Sequence, residues 1–338
     1  YLLKTVMIMS SGKDLRVVVI WQSLVVRSYR SIFYFLGAKG ANVSLVAPKK
    51  FTELGFQNIL CEPFSEGKNI QSFVLRVFSP HTQIVFFRGL SRLFRRSVTK
   101  SRPVVFCMAE PYSLTAIAVW IKARLFLGKN FTFILYGLQN IYKPFNRLLT
   151  WIQKFMFQKT DAIAVCGWEQ REVLLKHGYQ GQVFDFPLWY DSRVFKPLPD
   201  EQVQKNTVKF LPPHFSRKKI NFGYVGALVE QKGVRTLLRA VSSKSEHFSQ
   251  TSSLFFVGRG ELDDELNEFV AKTNQQQPWV YQLGFLDHGL LPYFFNFIDV
   301  LIVPSQTRAH WKEQFGRIII EAQACGCLVI GSDSGHIP

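Results

Sequence analysis

The sequence predicts an α/β protein made of two doubly wound domains in tandem. Three observations carry that reading. Short runs rich in Val, Ile and Phe alternate with longer amphipathic ones; the alternation breaks and restarts once across a proline-rich stretch; and 338 residues suffice for two buried cores. Alternating strands and helices imply parallel sheets with right-handed crossovers. Ligands of such sheets bind beyond the carboxyl ends of the strands, so a cleft faced by both domains is the expected site.

In the first half the strand candidates are Arg16–Trp21, Val43–Ala47, Val104–Met108, Phe131–Tyr136, Ala162–Cys166 and Val183–Leu188. Helical spacing marks Ser28–Gly37 and Phe145–Lys159 between them. Residues 195–215 then hold Pro197, Pro199, Pro212 and Pro213 among mixed charges, the composition of an interdomain connection. The expected division is therefore a first domain over 1–197, an interdomain connection over 198–219 and a second domain over 220–338. In that second domain the strand candidates are Ile220–Gly226, Leu254–Gly258, Val280–Leu283, Val300–Pro304 and Leu328–Ser332. Helices fit at Val234–Ser242, Glu261–Lys272, Leu290–Phe297 and Phe315–Ala324.

Composition narrows the classes. Hydrophobic residues make up 47% and charged residues 19%, which suits a globular domain rather than a disordered one. The apolar stretch from Ser113 to Gly128 is interrupted by Lys122 and Arg124, and no run reaches the roughly 18–20 residues of a spanning helix. With no leader pattern at the start, the expectation is a cytoplasmic protein. The five cysteines, Cys61, Cys107, Cys166, Cys325 and Cys327, fit neither a zinc spacing nor a redox pair and read as buried thiols.

The net charge of +17 is one-sided. Residues 1–197 carry 27 Lys and Arg against 10 Asp and Glu, while the remainder carries 14 of each, so the surplus sits wholly in the first half. A surface of this kind meets something anionic, such as phospholipid headgroups, a lipid pyrophosphate or nucleic acid. Its densest part is Arg88–Arg102, where Leu90, Leu93, Phe94 and Val98 follow helical spacing. That pattern fits an amphipathic basic helix lying on a membrane, and equally an ordinary surface helix. No nucleic-acid module is visible, so nucleic acid is not an expected partner.

Four segments of the second half suggest chemistry. A strand runs into Gly223, Gly226, Lys232 and Gly233, offering close backbone approach and a cation for phosphate. A second strand ends at Gly258, Arg259 and Gly260. A third segment holds Gly284, Phe285 and Leu286, followed by Asp299 to Ser305. The fourth places Glu313 and Glu321 on either side of Phe315, Gly316 and Arg317, with a helix starting near Gly316. A helix N-terminus favours an anion. A diphosphate resting on the Gly316 and Arg317 amides would leave the two carboxylates to hold sugar hydroxyls.

In order and spacing these segments resemble the family 4 (group 1) retaining glycosyltransferases of the GT-B superfamily, over Gly223–Pro338 and down to the closing Gly331 to Pro338 element. The first half resembles them only diffusely, at Asp161 to Val165 and at Pro187 to Phe195. The resemblance implies two Rossmann-like domains facing a cleft, 1–197 binding the acceptor and 220–338 the nucleotide sugar, with the second domain truncated at the C-terminus. It implies transfer of a sugar from a nucleoside-diphosphate sugar to a glycan or lipid-linked acceptor, with retention at the anomeric carbon. It implies no cofactor and no metal, the sugar nucleotide being a co-substrate. Lys232 would neutralise the diphosphate and Glu313 would bind the transferred sugar, as the catalytic pair. Gly226, Gly258, Arg259, Phe315, Gly316 and Arg317 would line the donor site, Glu321 would grip the ribose, and Gly284, Phe285 and Leu286 would border the base.

Departures from the pattern are specific. Ala227 stands where the family often has Arg, with Arg259 a candidate to compensate. Ser23 to Arg27 replaces the usual Gly-Gly loop, and Gln139 or Asn140 stands where an N-domain histidine is frequent. A GT-B epimerase is the nearest enzymatic rival, disfavoured by the Glu313–Glu321 signature. A non-catalytic binding protein is the rival that Ala227 favours.

Overall fold

A computed structural model describes residues 15–51, 59–65, 67–81, 84–96, 102–213, 215, 220–243, 245–275 and 278–338. The chain divides into two units, 1–189 and 190–338.

In the first unit the strands are β1 (Arg16–Ile20), β2 (Asn42–Pro48), β3 (Lys50–Phe51), β4 (Ile59–Leu60), β5 (Ile70–Leu75), β6 (Val77–His81), β7 (Ile84–Phe87), β8 (Val104–Cys107), β9 (Thr132–Gly137), β10 (Ala162–Val165) and β11 (Gln182–Asp185). Seven form one parallel sheet in the order β11-β10-β9-β8-β1-β2-β5. Every residue of β8, β9 and β10 is buried. A parallel sheet covered on both faces demands such unbroken apolar runs, which is why these strands stand out in the sequence. β3 with β4 and β6 with β7 make two small antiparallel pairs.

Several elements escape the sequence pattern, among them β5 and the helix that follows β8. β5 is an edge strand with a half-exposed, partly polar face. Leu114–Leu127 is a single helix, started by Ser113, whose hydroxyl accepts a hydrogen bond from the Ala116 amide at 3.1 Å. Lys122 and Arg124 interrupt its apolar run without interrupting the helix. Where Ser23–Arg27 stands in place of the usual Gly-Gly loop, Gln22–Val25 forms a short 3-10 turn with Leu24 and Val25 buried. Arg30 is fully buried there and donates to the carbonyls of Leu24, Val25, Glu62 and Pro63 at 2.7–2.9 Å.

The second unit holds β12 (Ile220–Val225), β13 (Ser252–Val257), β14 (Val280–Gly284), β15 (Val300–Val303) and β16 (Leu328–Gly331), parallel in the order β14-β13-β12-β15-β16. Helices fall at Val234–Ser242, Asp263–Thr273, Leu291–Phe297 and Arg317–Ala324, within a residue or two of the expected bounds. The described part of the stretch expected as an interdomain connection is folded against the second unit. It contains a helix, Asp200–Thr207, and Phe195 and Val203 are buried in the core of Phe294, Phe295 and Phe297. Leu198 donates its amide to Asn296 Oδ1 at 2.8 Å. The division accordingly falls between Trp189 and Tyr190, ahead of Pro197. The prolines set turns, while the apolar residues between them bind the segment to the second core.

Candidate functional site

β12 and β15 lie side by side, and the chain leaves them in opposite directions: β13 and β14 continue on one flank, β16 on the other. Such a reversal opens a crevice at the carboxyl ends of the two central strands. Three glycines are laced together along it. Gly226 donates to the Val257 carbonyl at 3.0 Å and Gly258 to the Gly284 carbonyl at 2.8 Å. A Cβ on Gly258 would lie 1.8 Å from the Gly226 oxygen, and one on Gly233 1.8 Å from the Pro304 oxygen. Glycine is therefore required where these loops touch.

Lys232 follows β12, and Glu313 follows β15. Their side chains meet with Nζ 2.6 Å from Oε2, and the Ser305 hydroxyl donates to the same carboxylate oxygen at 3.0 Å. Glu313 is buried, and the ammonium lies 5.0 Å from the Trp311 ring centroid, a cation–π approach. The Glu313 carbonyl is fixed in turn by the His336 amide at 3.2 Å, and a Cβ on Gly335 would lie 2.0 Å from it.

Gly316 adopts the left-handed conformation at the start of the Arg317–Ala324 helix. One turn along, Glu321 is 1% exposed. Arg317 Nε approaches its Oε1 to 3.0 Å, and His288 Nε2 lies 3.2 Å from Arg317 Nη2. Neither Glu321 carboxylate oxygen accepts a hydrogen bond of good geometry from the protein. Burial pushes the carboxyl up to about 7, with Arg317 opposing, and pushes His288 down to about 4, with Arg317 reinforcing. The crevice therefore holds two carboxylates of different character: Glu313 beside a cation and a hydroxyl, and Glu321 nearly sealed.

The remaining sequence candidates are dispersed. Phe315 stacks on His336, with centroids 5.8 Å apart. Arg259 is exposed, and its carbonyl accepts from the Leu228 amide at 3.0 Å. Phe285 is exposed beside Gly284, whereas Leu286 is buried in the unit's core. Ser305, Trp311 and His288 were given no role from sequence. Ser305 closes the Asp299–Ser305 segment, so its motif was legible while its contact to Glu313 was not. His288 and Trp311 carry no local signal.

In the first unit, Glu110 follows β8 at the corresponding reversal, between β1 and β8. It accepts the Leu138 amide at 2.8 Å, and burial raises its carboxyl to about 7. Asn140 is buried and donates to Glu169 at 3.2 Å, and Gln139 donates to the Ile141 carbonyl at 2.9 Å.

Comparison with known proteins identifies the fold and a partial family match. A crystal structure of Anabaena Alr3699/HepE in complex with UDP and glucose superposes with a TM-score of 0.60 over 96% of this chain and 82% of that one, at 14% identity. The fold is that of the GT-B glycosyltransferases. Residues 209–338 match the family model for glycosyl transferases group 1. Among curated relatives, a Methanocaldococcus jannaschii protein named uncharacterized glycosyltransferase MJ1607 is 30% identical over 114 residues, covering 34% of this chain and 27% of its own length. The O-antigen chain mannosyltransferase B of Escherichia coli is 29% identical over 116 residues, covering 34% of this chain and 29% of its own. The matched segments thus span less than a third of either relative.

Proposed function

We propose that the protein is a glycosyltransferase that moves a sugar from a nucleoside-diphosphate sugar to a glycan or lipid-linked acceptor, retaining the anomeric configuration. The observation that carries the reading is the Lys232–Glu313–Ser305 cluster at the reversal between β12 and β15, in the segment that matches the group 1 model. In this reading the Lys232 ammonium meets the donor diphosphate and the Glu313 carboxylate accepts hydroxyls of the transferred sugar. The amides at Gly316 and Arg317 face phosphate at the helix start. Glu321 takes the ribose hydroxyls, a role supported by its two buried oxygens, which accept no good hydrogen bond within the protein. Gly226, Gly258 and Arg259 border the phosphates, and Gly284, Phe285 and Leu286 border the base.

Catalysis is then electrostatic: fixed cations and amides stabilise the charge that gathers on the departing diphosphate as the anomeric carbon becomes oxocarbenium-like. The reading needs no metal ion, so chelator should leave turnover unchanged. The test is release of free nucleoside diphosphate from a panel of UDP-, GDP- and ADP-sugars, with and without added glycan acceptors. Turnover of one donor supports the proposal. Saturable donor binding with no release from any donor would assign the protein to non-catalytic binding.

A further inference from the structure

The Leu114–Leu127 helix is apolar on two opposite faces. Ala116, Val119, Ala123 and Leu127 are buried against the first sheet. Leu114, Ile121 and Leu125, at spacings of seven and four, share one line on the opposite side and are exposed, Leu125 by 71%. A helix that is apolar all round belongs in an interior or against lipid. Here nothing among the described residues covers its outer line.

The surface continues onto the neighbouring helix. Trp120 packs edge-on to Phe155 at 5.5 Å, Phe155 stacks with Trp151 at 5.8 Å, and Leu148 lies one turn before Trp151. Leu148 and Trp151 are 65% and 62% exposed. On the other flank the Arg95 guanidinium sits over Phe126, 4.9 Å from its centroid, joining the Leu90–Arg96 helix to the same face. That helix buries Leu90, Leu93 and Phe94, so its share of the surface is basic rather than apolar. Val98 and Lys100, counted into the same amphipathic stretch from sequence, lie outside the described residues. Besides Arg95, the Leu114–Leu127 and Arg147–Lys159 helices themselves carry Arg124, Arg147 and Lys154. Between Glu66 and Asp161 the sequence has 15 Lys and Arg and one acid, Glu110.

We propose that the outer face of the Leu114–Leu127 and Arg147–Lys159 helices is a docking surface for an anionic phospholipid bilayer, with Ile121, Leu125, Leu148 and Trp151 entering the interface and the flanking arginines and lysines meeting headgroups. Charge decides the occupant. Two copies of this face would oppose like charges, whereas anionic lipid complements them, each basic residue near the surface contributing about 1 kcal/mol that fades within a Debye length. Tryptophan with aliphatic neighbours suits the headgroup–acyl boundary. No helix among the described residues is long and apolar enough to cross a membrane, so these helices lie on it. The inference is independent of sugar transfer and places the apolar contact outside the Arg88–Arg102 stretch.

Vesicle flotation without any donor tests it, using phosphatidylcholine vesicles with and without phosphatidylglycerol at two salt concentrations. Wild-type protein should float with the anionic vesicles and lose binding as salt rises. Ile121→Gln/Leu125→Gln leaves the net charge unchanged, yet should weaken partition by about tenfold for each residue. Arg92→Gln/Arg95→Gln/Arg96→Gln should weaken it while flattening the salt dependence. Trp151 fluorescence, assigned by loss in Trp151→Phe, should shift to the blue and be quenched by brominated lipid. Circular dichroism checks that these surface variants stay folded. Three results would overturn the proposal: no binding of wild type to anionic vesicles, wild-type partition by the Gln pair, or a lipid-free dimer in sedimentation that the Gln pair dissolves.

Discussion

Replacing Lys232 with Met probes the centre of the candidate site without adding bulk. Its ammonium lies 2.6 Å from Glu313, whose side chain is 11% exposed, while Lys232 itself is 30% exposed. Removing one partner of a buried pair costs about 3–5 kcal/mol, because the other charge stays buried. Two features reduce that here: Lys232 keeps some solvent, and Ser305 still donates to the stranded carboxylate at 3.0 Å. A loss of about 2–3 kcal/mol follows. Glu313→Gln keeps the shape and an acceptor, so the double variant leaves no lone charge and should recover part of the loss. The expected coupling is at least about 1 kcal/mol. Amide hydrogen exchange in β12 and β15 reads this out locally, without assuming one unfolding transition for a two-unit chain. Additivity of the two substitutions within about 0.5 kcal/mol would refute the pairing. Should the proposed function hold, Lys232→Ala will also weaken nucleoside diphosphate binding more than nucleoside binding by calorimetry; equal losses would make Lys232 structural only.

Three further outcomes are expected. Glu321, lifted by burial from 4.5 to about 7, keeps a proton that the unfolded chain gives up, so this group makes the fold less stable as pH rises through that window, by about 3 kcal/mol. His288, lowered from 6.5 to about 4, acts in the opposite sense, adding stability as pH rises between those values. Chemical denaturation of Glu321→Gln beside wild type cancels the histidine: the variant should gain on wild type from pH 4.5 to 7, and a constant difference would refute the assignment. Gly233→Ala should cost at least about 2 kcal/mol, since left-handed backbone and a clash with the Pro304 carbonyl act together; Gly326→Ala, equally left-handed but facing open space, should cost about 1. Glu313→Ala should reduce turnover by about 2–4 kcal/mol in transition-state terms while preserving the far-ultraviolet dichroism, and near-normal kcat/KM would remove Glu313 from the proposed mechanism.

Much of the second unit was written in the sequence. Its central strands β12 and β13 are largely buried and therefore read as near-continuous apolar runs, although the edge strand β16 is mostly exposed, and its helices begin at local signals such as Gly233 and Gly316. The residues of the candidate site were legible for the same reason, because chain turns at the ends of β12 and β15 carry their own glycines, lysine and carboxylates. What sequence could not supply was which of these meet. Lys232 and Glu313 are 81 residues apart, and only the adjacency of β12 and β15 brings them to 2.6 Å. The same holds for Ser305 and His288, ordinary in their local context and significant only as neighbours of Glu313 and Arg317. Burial was likewise a tertiary decision. Proline content suggested an interdomain connection over 198–219, while Val203 within it and Phe195 just before it are buried in the second core. In Leu114–Leu127 the apolar run alone could not tell which side faces the sheet; packing buried Ala116, Val119, Ala123 and Leu127 on one line and left Leu114, Ile121 and Leu125 outside. Local composition sets what each segment can form, and sheet order, a property of the whole chain, sets what its side chains touch.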